Sequence, residues 1–346
     1  MAQSIIRKAT SIRPDAFVVA LIATVALASV LPCSGASARI FHLLGIAAIG
    51  ALFFLQGARL SRDAVIAGLT NWRLHATIAA TTFAVFPVLG SALTALAPNA
   101  LNRTLVLGVL FLCALPSTVQ SSIALTSIAR GNVAGAVCAA TGSSLIGLLL
   151  TPLLFGFMSH VHGEGGIDLS GLWLVLGELL LPFIAGHLLR PWIGPWAARN
   201  RSLLTITDRG SILLVVYTAF SAAVVNGIWQ QLPPMMLAVL VMIVAILLAA
   251  GLLVTRAAAR LCNFDHAEEV ALVFCGSQKS LVSGIPIASV LFAGPMLGLV
   301  VLPIMIYHPL QLVVCAWLAR QYARRPVVAA GHRSLPTNGA ALPAKA

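Results

Sequence analysis

The sequence predicts an all-helical, polytopic membrane protein with ten transmembrane helices. Its 346 residues are 60% hydrophobic and only 9% charged, with a mean hydropathy of +1.00, whereas a soluble domain carries about 25% charged residues. Its apolar runs are about twenty residues long, which suits helices rather than the alternating strands of an outer-membrane barrel. The net charge of +12 comes from arginines between these runs, which argues for membrane topology and against nucleic-acid binding.

The apolar runs and the basic residues between them define the predicted topology. The ten spans are residues 15–32, 40–57, 75–96, 104–128, 133–158, 169–189, 211–228, 234–258, 267–292 and 296–318. Eighteen of the 21 Lys and Arg residues fall on the side of the N-terminus, two (Arg39 and Arg103) on the other, and Lys279 inside the membrane. The positive-inside rule therefore puts both termini in the cytoplasm. We expect residues 1–14 to form a cytoplasmic segment, and residues 322–346 to form a disordered cytoplasmic tail.

Lys279 lies in the ninth span, inside the run V-F-C-G-S-Q-K-S-L-V-S-G-I-P-I of residues 273–287. A lysine at this depth costs about 3 kcal/mol on insertion scales. Glycine and proline on both sides would interrupt helical hydrogen bonds, which lipid cannot replace. We predict a discontinuous helix whose unwound middle lines a polar cavity. The alternative is a kinked helix whose lysine reaches the membrane surface.

The fourth span carries a similar interruption in the first half of the chain. It contains Pro116, Ser117, Thr118, Gln120, Ser121 and Ser122, and the ninth span contains Gly276, Ser277, Gln278, Lys279 and Ser280. Both stretches are built around Q-x-S, and the linker 159–168 separates five spans (residues 15–158) from five (residues 169–321). An odd number of spans per half predicts an inverted repeat, and paired broken helices indicate a transporter binding site.

These eleven residues are the predicted substrate site. The N-terminus of a half-helix carries roughly +0.5 charge, which suits an organic anion, while freed carbonyls and hydroxyls could coordinate a cation. Each hydroxyl could instead bond the i−4 carbonyl of its own helix. Lys279 has three alternative roles: a tethered cation in place of sodium, a proton-coupling group, or a direct partner of the substrate's charge.

Four further residues are candidates for the cavity or for coupling: Gln56, Glu178, Tyr307 and His308. Glu178 is the only carboxylate well inside a predicted span, which makes it the candidate counter-ion of Lys279, or else a membrane-edge residue paired elsewhere. The run Tyr307-His308-Pro309 is expected to interrupt the tenth span. The sequence contains no nucleophile elbow, zinc-protease or Walker motif, so we predict neither an enzyme nor a cofactor. It specifies no oligomeric state.

Several stretches carry a family resemblance. They are L-F-F-L-Q-G at 52–57, L-P-S-T-V-Q-S-S at 115–122, R-G-N at 130–132, F-C-G-S-Q-K-S-L at 274–281, G-I-P at 284–286 and I-Y-H-P at 306–309. In these the chain resembles the bile acid:sodium symporter superfamily, and more closely its SBF-like branch. The resemblance implies ten helices in a five-plus-five inverted repeat, divided into a panel and a core domain. It also implies that the fourth and ninth helices cross and that organic anions move by alternating access.

The chain departs from this family at its sodium ligands. A glutamate of the ninth helix corresponds to Phe274, a Ser-Asn pair to Ser122 and Ile123, and two hydroxyl residues of the fifth helix to Ala136 and Ala140. We therefore expect at most a residual sodium site near Ser122 and Gln278, and the coupling ion stays open between sodium and a proton. The rival function is a membrane regulator of calcium homeostasis, with which eukaryotic members of the branch are connected.

Overall fold

The computed structural model describes residues 16–59, 71–96, 99–161, 169–292 and 294–325, and every regular element in these ranges is a helix. Within these ranges, seven helices are long and apolar enough to cross a membrane, and three shorter ones, Ala16–Val30, Arg103–Ala114 and Gly177–Leu188, are also apolar. The prediction of an all-helical, polytopic membrane protein is confirmed.

Fourteen helices make up the described part of the chain. They are α1 Ala16–Val30, α2 Gly35–Arg59, α3 Trp72–Leu96, α4 Arg103–Ala114, α5 Gln120–Ile128, α6 Val133–Val161, α7 Leu169–Leu188, α8 Arg190–Arg199, α9 Arg201–Val225, α10 Ile228–Gln231, α11 Pro234–Leu261, α12 His266–Ser277, α13 Leu281–Leu291 and α14 Met296–Ala323. They pack in two groups: α2 lies against α7 and α9, with α1 on α9, while α4 lies against α14, α6 and α3, and α12 against α11 and α5.

Both predicted helix breaks are present. The fourth predicted span consists of α4 and α5, because Leu115 precedes a proline and takes an extended conformation (φ −69°, ψ 150°). The ninth consists of α12 and α13, separated by an extended Gln278 (φ −86°, ψ 145°). Ser280 then caps α13 by accepting a hydrogen bond from the Ser283 amide. The alternative of a kinked but continuous ninth helix is therefore wrong.

Three other elements differ from the prediction. The tenth predicted span is the continuous helix α14, which passes through Tyr307 and His308 with Pro303 and Pro309 inside it. The expected interruption there is wrong, because a buried transmembrane helix tolerates proline when neighbouring groups bond the carbonyls that it frees. Helix α3 contains an unpredicted π-helical turn, Thr81–Val85. Helix α8 also lies between the sixth and seventh predicted spans, with exposed tryptophans that suit the membrane interface.

The tightest helix contact is the crossing of α2 and α7. A Cβ atom on Gly57 would overlap the carbonyl oxygen of Phe183, and one on Gly186 would overlap that of Phe54. The two backbones approach this closely because glycine has no side chain, as in other small-residue contacts between membrane helices. This contact fixes the distance between α2 and α7.

We expect Gly186→Ala to lower the free energy of unfolding by about 1–3 kcal/mol, because the added methyl group must push α7 away from α2. The matched control on the same helix is Gly177→Ala, since a Cβ at Gly177 meets no atom within 4 Å. Thermal unfolding of the two purified variants measures the difference. Equal melting temperatures would contradict the close contact.

Candidate functional site

The two helix breaks are in direct contact. The Ser280 amide, in the break between α12 and α13, donates a hydrogen bond of 2.9 Å to the carbonyl oxygen of Pro116, in the break between α4 and α5. Both residues lie where the helical ladder is interrupted, so each backbone supplies a partner that the other lacks. This contact brings together the two stretches that the sequence singled out.

Three hydroxyl groups of the first break surround one amide oxygen of the second. Gln278 Oε1 lies 2.6 Å from Thr118 Oγ1, 2.8 Å from Ser121 Oγ and 3.0 Å from Ser122 Oγ. Thr118 Oγ1 also lies 2.5 Å from Ser121 Oγ and 3.0 Å from Ser122 Oγ, and Ser122 Oγ lies 3.1 Å from the Phe274 carbonyl oxygen. Three hydroxyl protons cannot bridge six oxygen–oxygen contacts. This oxygen cluster therefore has lone pairs to spare for a cation.

Lys279 points away from the oxygen cluster into a cage of main-chain carbonyls. Its Nζ donates to the carbonyl oxygens of Thr82 at 2.9 Å, Cys113 at 2.8 Å and Leu115 at 2.8 Å. It also lies 4.3 Å from the centre of the Phe86 ring. The side chain is 0% exposed. All three ammonium protons are used, so the cage offsets the cost of burying this charge.

The carbonyls of this cage are free because helices are irregular there. Thr82 lies in the π-helical turn of α3, Cys113 in the last turn of α4, and Leu115 in the break that follows it. Carbonyls at a helix C-terminus lack intrahelical partners and carry the negative end of the helix dipole. A cation is therefore stabilised here without a carboxylate.

The prediction that Glu178 is the counter-ion of Lys279 is wrong. Glu178 has an exposed side chain on α7, whereas the ammonium of Lys279 is enclosed by carbonyls. Within the ranges that the structure describes, no carboxylate lies within ion-pair distance of that ammonium. The physical reason is that carbonyl dipoles already stabilise the charge.

Helices α6 and α14 hold the two breaks in place. Thr151 of α6 donates to the carbonyl of Ala114, the last residue of α4, at 2.9 Å. Tyr307 of α14 donates to the carbonyl of Ser277, the last residue of α12, at 2.6 Å. Gln311 bonds both sides of the Lys279 backbone, accepting from its N–H at 2.8 Å and donating to its carbonyl at 3.0 Å. Side chains thus replace the hydrogen bonds that the breaks remove.

A cavity of about 1140 Å³ reaches the start of α5 from the side that carries Arg59 and Arg190. It is lined by Ala58, Arg59, Val119, Gln120, Val137, His187, Leu188, Arg190, Pro191, Gly194, Pro195, Ala197, Ala198, Leu204 and Thr205. The Gln120 side chain is exposed, and the neighbouring Ser121 is half-buried. The N-cap residue of α5, Val119, provides no side-chain cap. A solute in this cavity can therefore approach both a helix N-terminus and the edge of the oxygen cluster.

The predicted site residues separate into two groups. One lies where the two helix breaks meet, which we call the crossing, and the other lies elsewhere. At the crossing lie Pro116, Ser117, Thr118, Ser121, Ser122, Ser277, Gln278, Lys279, Ser280 and Tyr307. Gly276 lies two residues before Gln278, where the second break begins, and packs against Thr255 of α11. Gln56 is half-buried on α2 and makes no described hydrogen bond to either break, and His308 is buried beside Gln311.

The Q-x-S equivalence of the two halves is wrong. Gln278 lies in the second break with its side chain 0% exposed, whereas Gln120 is the first residue of α5 and its side chain is exposed. The two glutamines therefore occupy different places relative to their breaks. The Q-x-S pattern matches residue types only, whereas the position of a break depends on where the helical hydrogen bonds end.

The positions that the resemblance aligns with sodium ligands are occupied by packed apolar groups. Ala136 and Ala140 are fully buried in a cluster with Leu74 and Ile78. The Phe274 ring packs edge-on against Tyr322, with 6.1 Å between ring centres. Hydrocarbon groups cannot coordinate a cation. In the described part of the chain, the Gln278 cluster is thus the group of side-chain oxygens that remains where the two breaks meet.

Sequence reasoning missed several residues around the site. Arg59 at the end of α2 forms an ion pair with the buried Asp208 of α9, at 2.7 Å. Arg190 lines the cavity, and Thr82 and Thr151 supply the hydrogen bonds described above. No motif marks any of them. Asp208 carries one sequence signal, because it is an acidic residue just before the seventh predicted span.

Comparison with known proteins identifies the family. Residues 15–324 match the SBF-like CPA transporter family. An uncharacterized protein of Pseudomonas aeruginosa, PA2026, is 53% identical over 312 residues, which cover 90% of this chain and 94% of that protein. YfeH of Escherichia coli, which is named as a candidate symporter, is 50% identical over 311 residues, covering 90% and 93%. Sodium/bile acid cotransporter 7 of Rattus norvegicus is 26% identical over 310 residues, covering 88% and 91%.

These matches confirm the resemblance seen in the sequence and the prediction of a transporter rather than an enzyme. The family match runs from the first helix to the end of α14. Two relatives are 53% and 50% identical in sequence, each over 90% of this chain. This multi-pass membrane protein therefore belongs to the SBF-like CPA transporter family.

Proposed function

We propose that the protein moves an organic anion across the bacterial inner membrane by alternating access, with the substrate bound where the two broken helices meet. The observation that carries this proposal is the cavity of about 1140 Å³ that ends at Val119 and Gln120, beside the contact between the two breaks. Transporter sites are typically built in this way, from half-helix ends at the interface of two repeats. The cavity lies on the arginine-rich side, which is the cytoplasmic side by the positive-inside rule.

Two features of the packing support ten spans in a five-plus-five inverted repeat. Span one packs on span seven, as α1 on α9, and span two packs on span six, as α2 on α7. In a five-plus-five repeat, span one is equivalent to span six and span two to span seven. The repeat therefore converts each of these two contacts into the other. The hydrogen bonds from Thr151 and Tyr307 provide the second feature. Each connects the last span of its half to the final carbonyl of that half's first half-helix. Residues 15–158 and 169–321 are the two proposed repeats.

Among the three roles that the sequence left open for Lys279, the geometry favours a tethered cation. Its three N–H groups are all bonded to carbonyls, so it has no free donor for a substrate. It is not among the residues that line the cavity. An ammonium bonded in this way occupies the place of a coordinated metal cation between helix ends. We therefore assign Lys279 to holding the crossing together.

Transport itself tests the proposed function. Relatives in the family are named for bile acids, so cholate is the probe. We expect purified protein in liposomes to catalyse counterflow of labelled cholate, and Gln278→Leu to reduce it at least tenfold, since removing a buried polar partner leaves hydroxyls unpaired. Counterflow equal to that of protein-free liposomes would contradict the proposal.

For Lys279→Ala we expect a loss of stability on the order of 3 kcal/mol or more, because three buried carbonyls lose their partner. The deleted atoms correspond to n-propylammonium, so millimolar n-propylammonium should restore part of the melting temperature by binding the folded state. Tetramethylammonium, which carries the charge but no N–H group, is the control and should restore nothing. A Lys279→Ala variant as stable as the wild type would refute the tethered cation.

Sodium dependence tests the residual cation site. We expect the wild-type melting temperature to be the same in sodium, potassium and choline buffers, because Phe274, Ala136 and Ala140 supply no ligand side chains. Sodium-specific stabilisation of the wild type that disappears in Ser122→Ala would mean the opposite. It would assign a sodium-binding site to the oxygen cluster around Gln278, as sodium coupling requires.

A further inference from the structure

The cavity that reaches α5 has an uneven charge distribution. Among the residues that the structure describes, its polar lining consists of Arg59, Gln120, His187, Arg190 and Thr205, and none of these lining residues is acidic. The remaining ten residues are apolar side chains or glycine. A ligand that fills this cavity is therefore expected to have an apolar body and to be attracted by positive charge.

The charge of Arg59 is already compensated. Its guanidinium approaches both carboxylate oxygens of Asp208, at 2.7 Å from Nη1 to Oδ2 and 3.4 Å from Nη2 to Oδ1. Asp208 is 7% exposed, whereas the Arg59 side chain is 31% exposed, so solvent screens this pair only from the side of the arginine. A substrate that took Arg59 as its partner would leave a buried aspartate unpaired, which is costly. Arg59 is thus a fixed brace between α2 and α9.

Arg190 differs from Arg59 in having no such partner. Across the described ranges, no carboxylate lies within 4.0 Å of its guanidinium. Arg190 is the first residue of α8, and the stem of its side chain lies against Gly194. Three residues earlier, His187 presents a buried Nδ1 that has no hydrogen-bond partner among the described groups. Arg190 and His187 therefore line the same cavity, and the His187 ring carries a nitrogen that has no partner within the described residues.

We propose that Arg190 binds the acid group of the transported anion, with His187 as a second hydrogen-bond partner, and that it determines selectivity for ligands with one acid group. This inference rests on the proposed function, and it adds the residue that recognises the charge. The described lining offers one uncompensated guanidinium, so it balances the charge of one carboxylate or sulfonate. A second acid group would remain unpaired against apolar walls such as Val137 and Leu204.

The test compares a charged and an uncharged ligand of the same shape. The probes are cholate, below the concentration at which it forms micelles, and its methyl ester. Binding is measured in lipid nanodiscs from the rise in melting temperature with ligand concentration. The variants are Arg190→Gln and Arg190→Lys. Arg199→Gln is the matched control, since Arg199 lies at the other end of α8, bonds the Pro195 carbonyl and does not line the cavity.

We expect Arg190→Gln to weaken cholate binding roughly 10- to 100-fold, because a charge-assisted pair is lost, and to leave binding of the ester unchanged. Arg190→Lys should retain part of the preference for cholate, and Arg199→Gln all of it. Cholate binding that is equal in wild type and Arg190→Gln would overturn the role of Arg190 and leave the proposed function standing. A wild type that binds cholate no better than the ester would overturn both, since neither anion selectivity nor its residue would then exist.

Discussion

The contact between the two helix breaks depends on the hydrogen bonds of one buried ammonium, that of Lys279, to three main-chain carbonyls. Placing the charge of Lys279 in a low-dielectric interior costs several kcal/mol unless it is fully hydrogen-bonded. Leaving carbonyls unpaired inside a membrane protein is also costly. The cage solves both problems together, because the carbonyls of Thr82, Cys113 and Leu115 are the groups that irregular helices leave free. Neither the lysine nor the broken helices would be stable at this depth without the other.

The irregularities of three helices therefore form one matched arrangement. The π-helical turn of α3 supplies Thr82, the end of α4 supplies two carbonyls, and the break before α13 supplies the lysine. Continuous helices complete the frame, with Thr151 from α6 and Gln311 from α14 bonding the remaining backbone groups. Because these bonds fix the backbone on both sides, the Gln278 oxygen cluster is held beside the cavity. A fixed frame of this kind is what a binding site built from half-helix ends requires.

The sequence predicts the breaks but not their partners, for a physical reason. A break follows from local chemistry, such as Pro116 after an apolar helix or Lys279 between glycines, and topology follows from the position of arginines. A main-chain carbonyl has the same chemistry in every residue. The residue type at position 82 therefore does not indicate that the carbonyl of Thr82 accepts a hydrogen bond from Lys279. The expectation for Glu178 failed because it assumed that a buried charge must pair with a charged side chain. The Arg59–Asp208 pair joins residues 149 positions apart, and no periodicity links them.

Lys279 and Arg190 are both cations near the path of the proposed substrate, and their surroundings suit opposite tasks. A group that binds and releases an anion must have donors that are free when the site is empty. Lys279 has none, since its three protons are bonded inside the protein and its side chain is 0% exposed. Attraction for the substrate must then come from groups that face the cavity, namely the uncapped start of α5 and the unpaired Arg190. The buried cation holds the site together, and the cavity cation recognises what enters it.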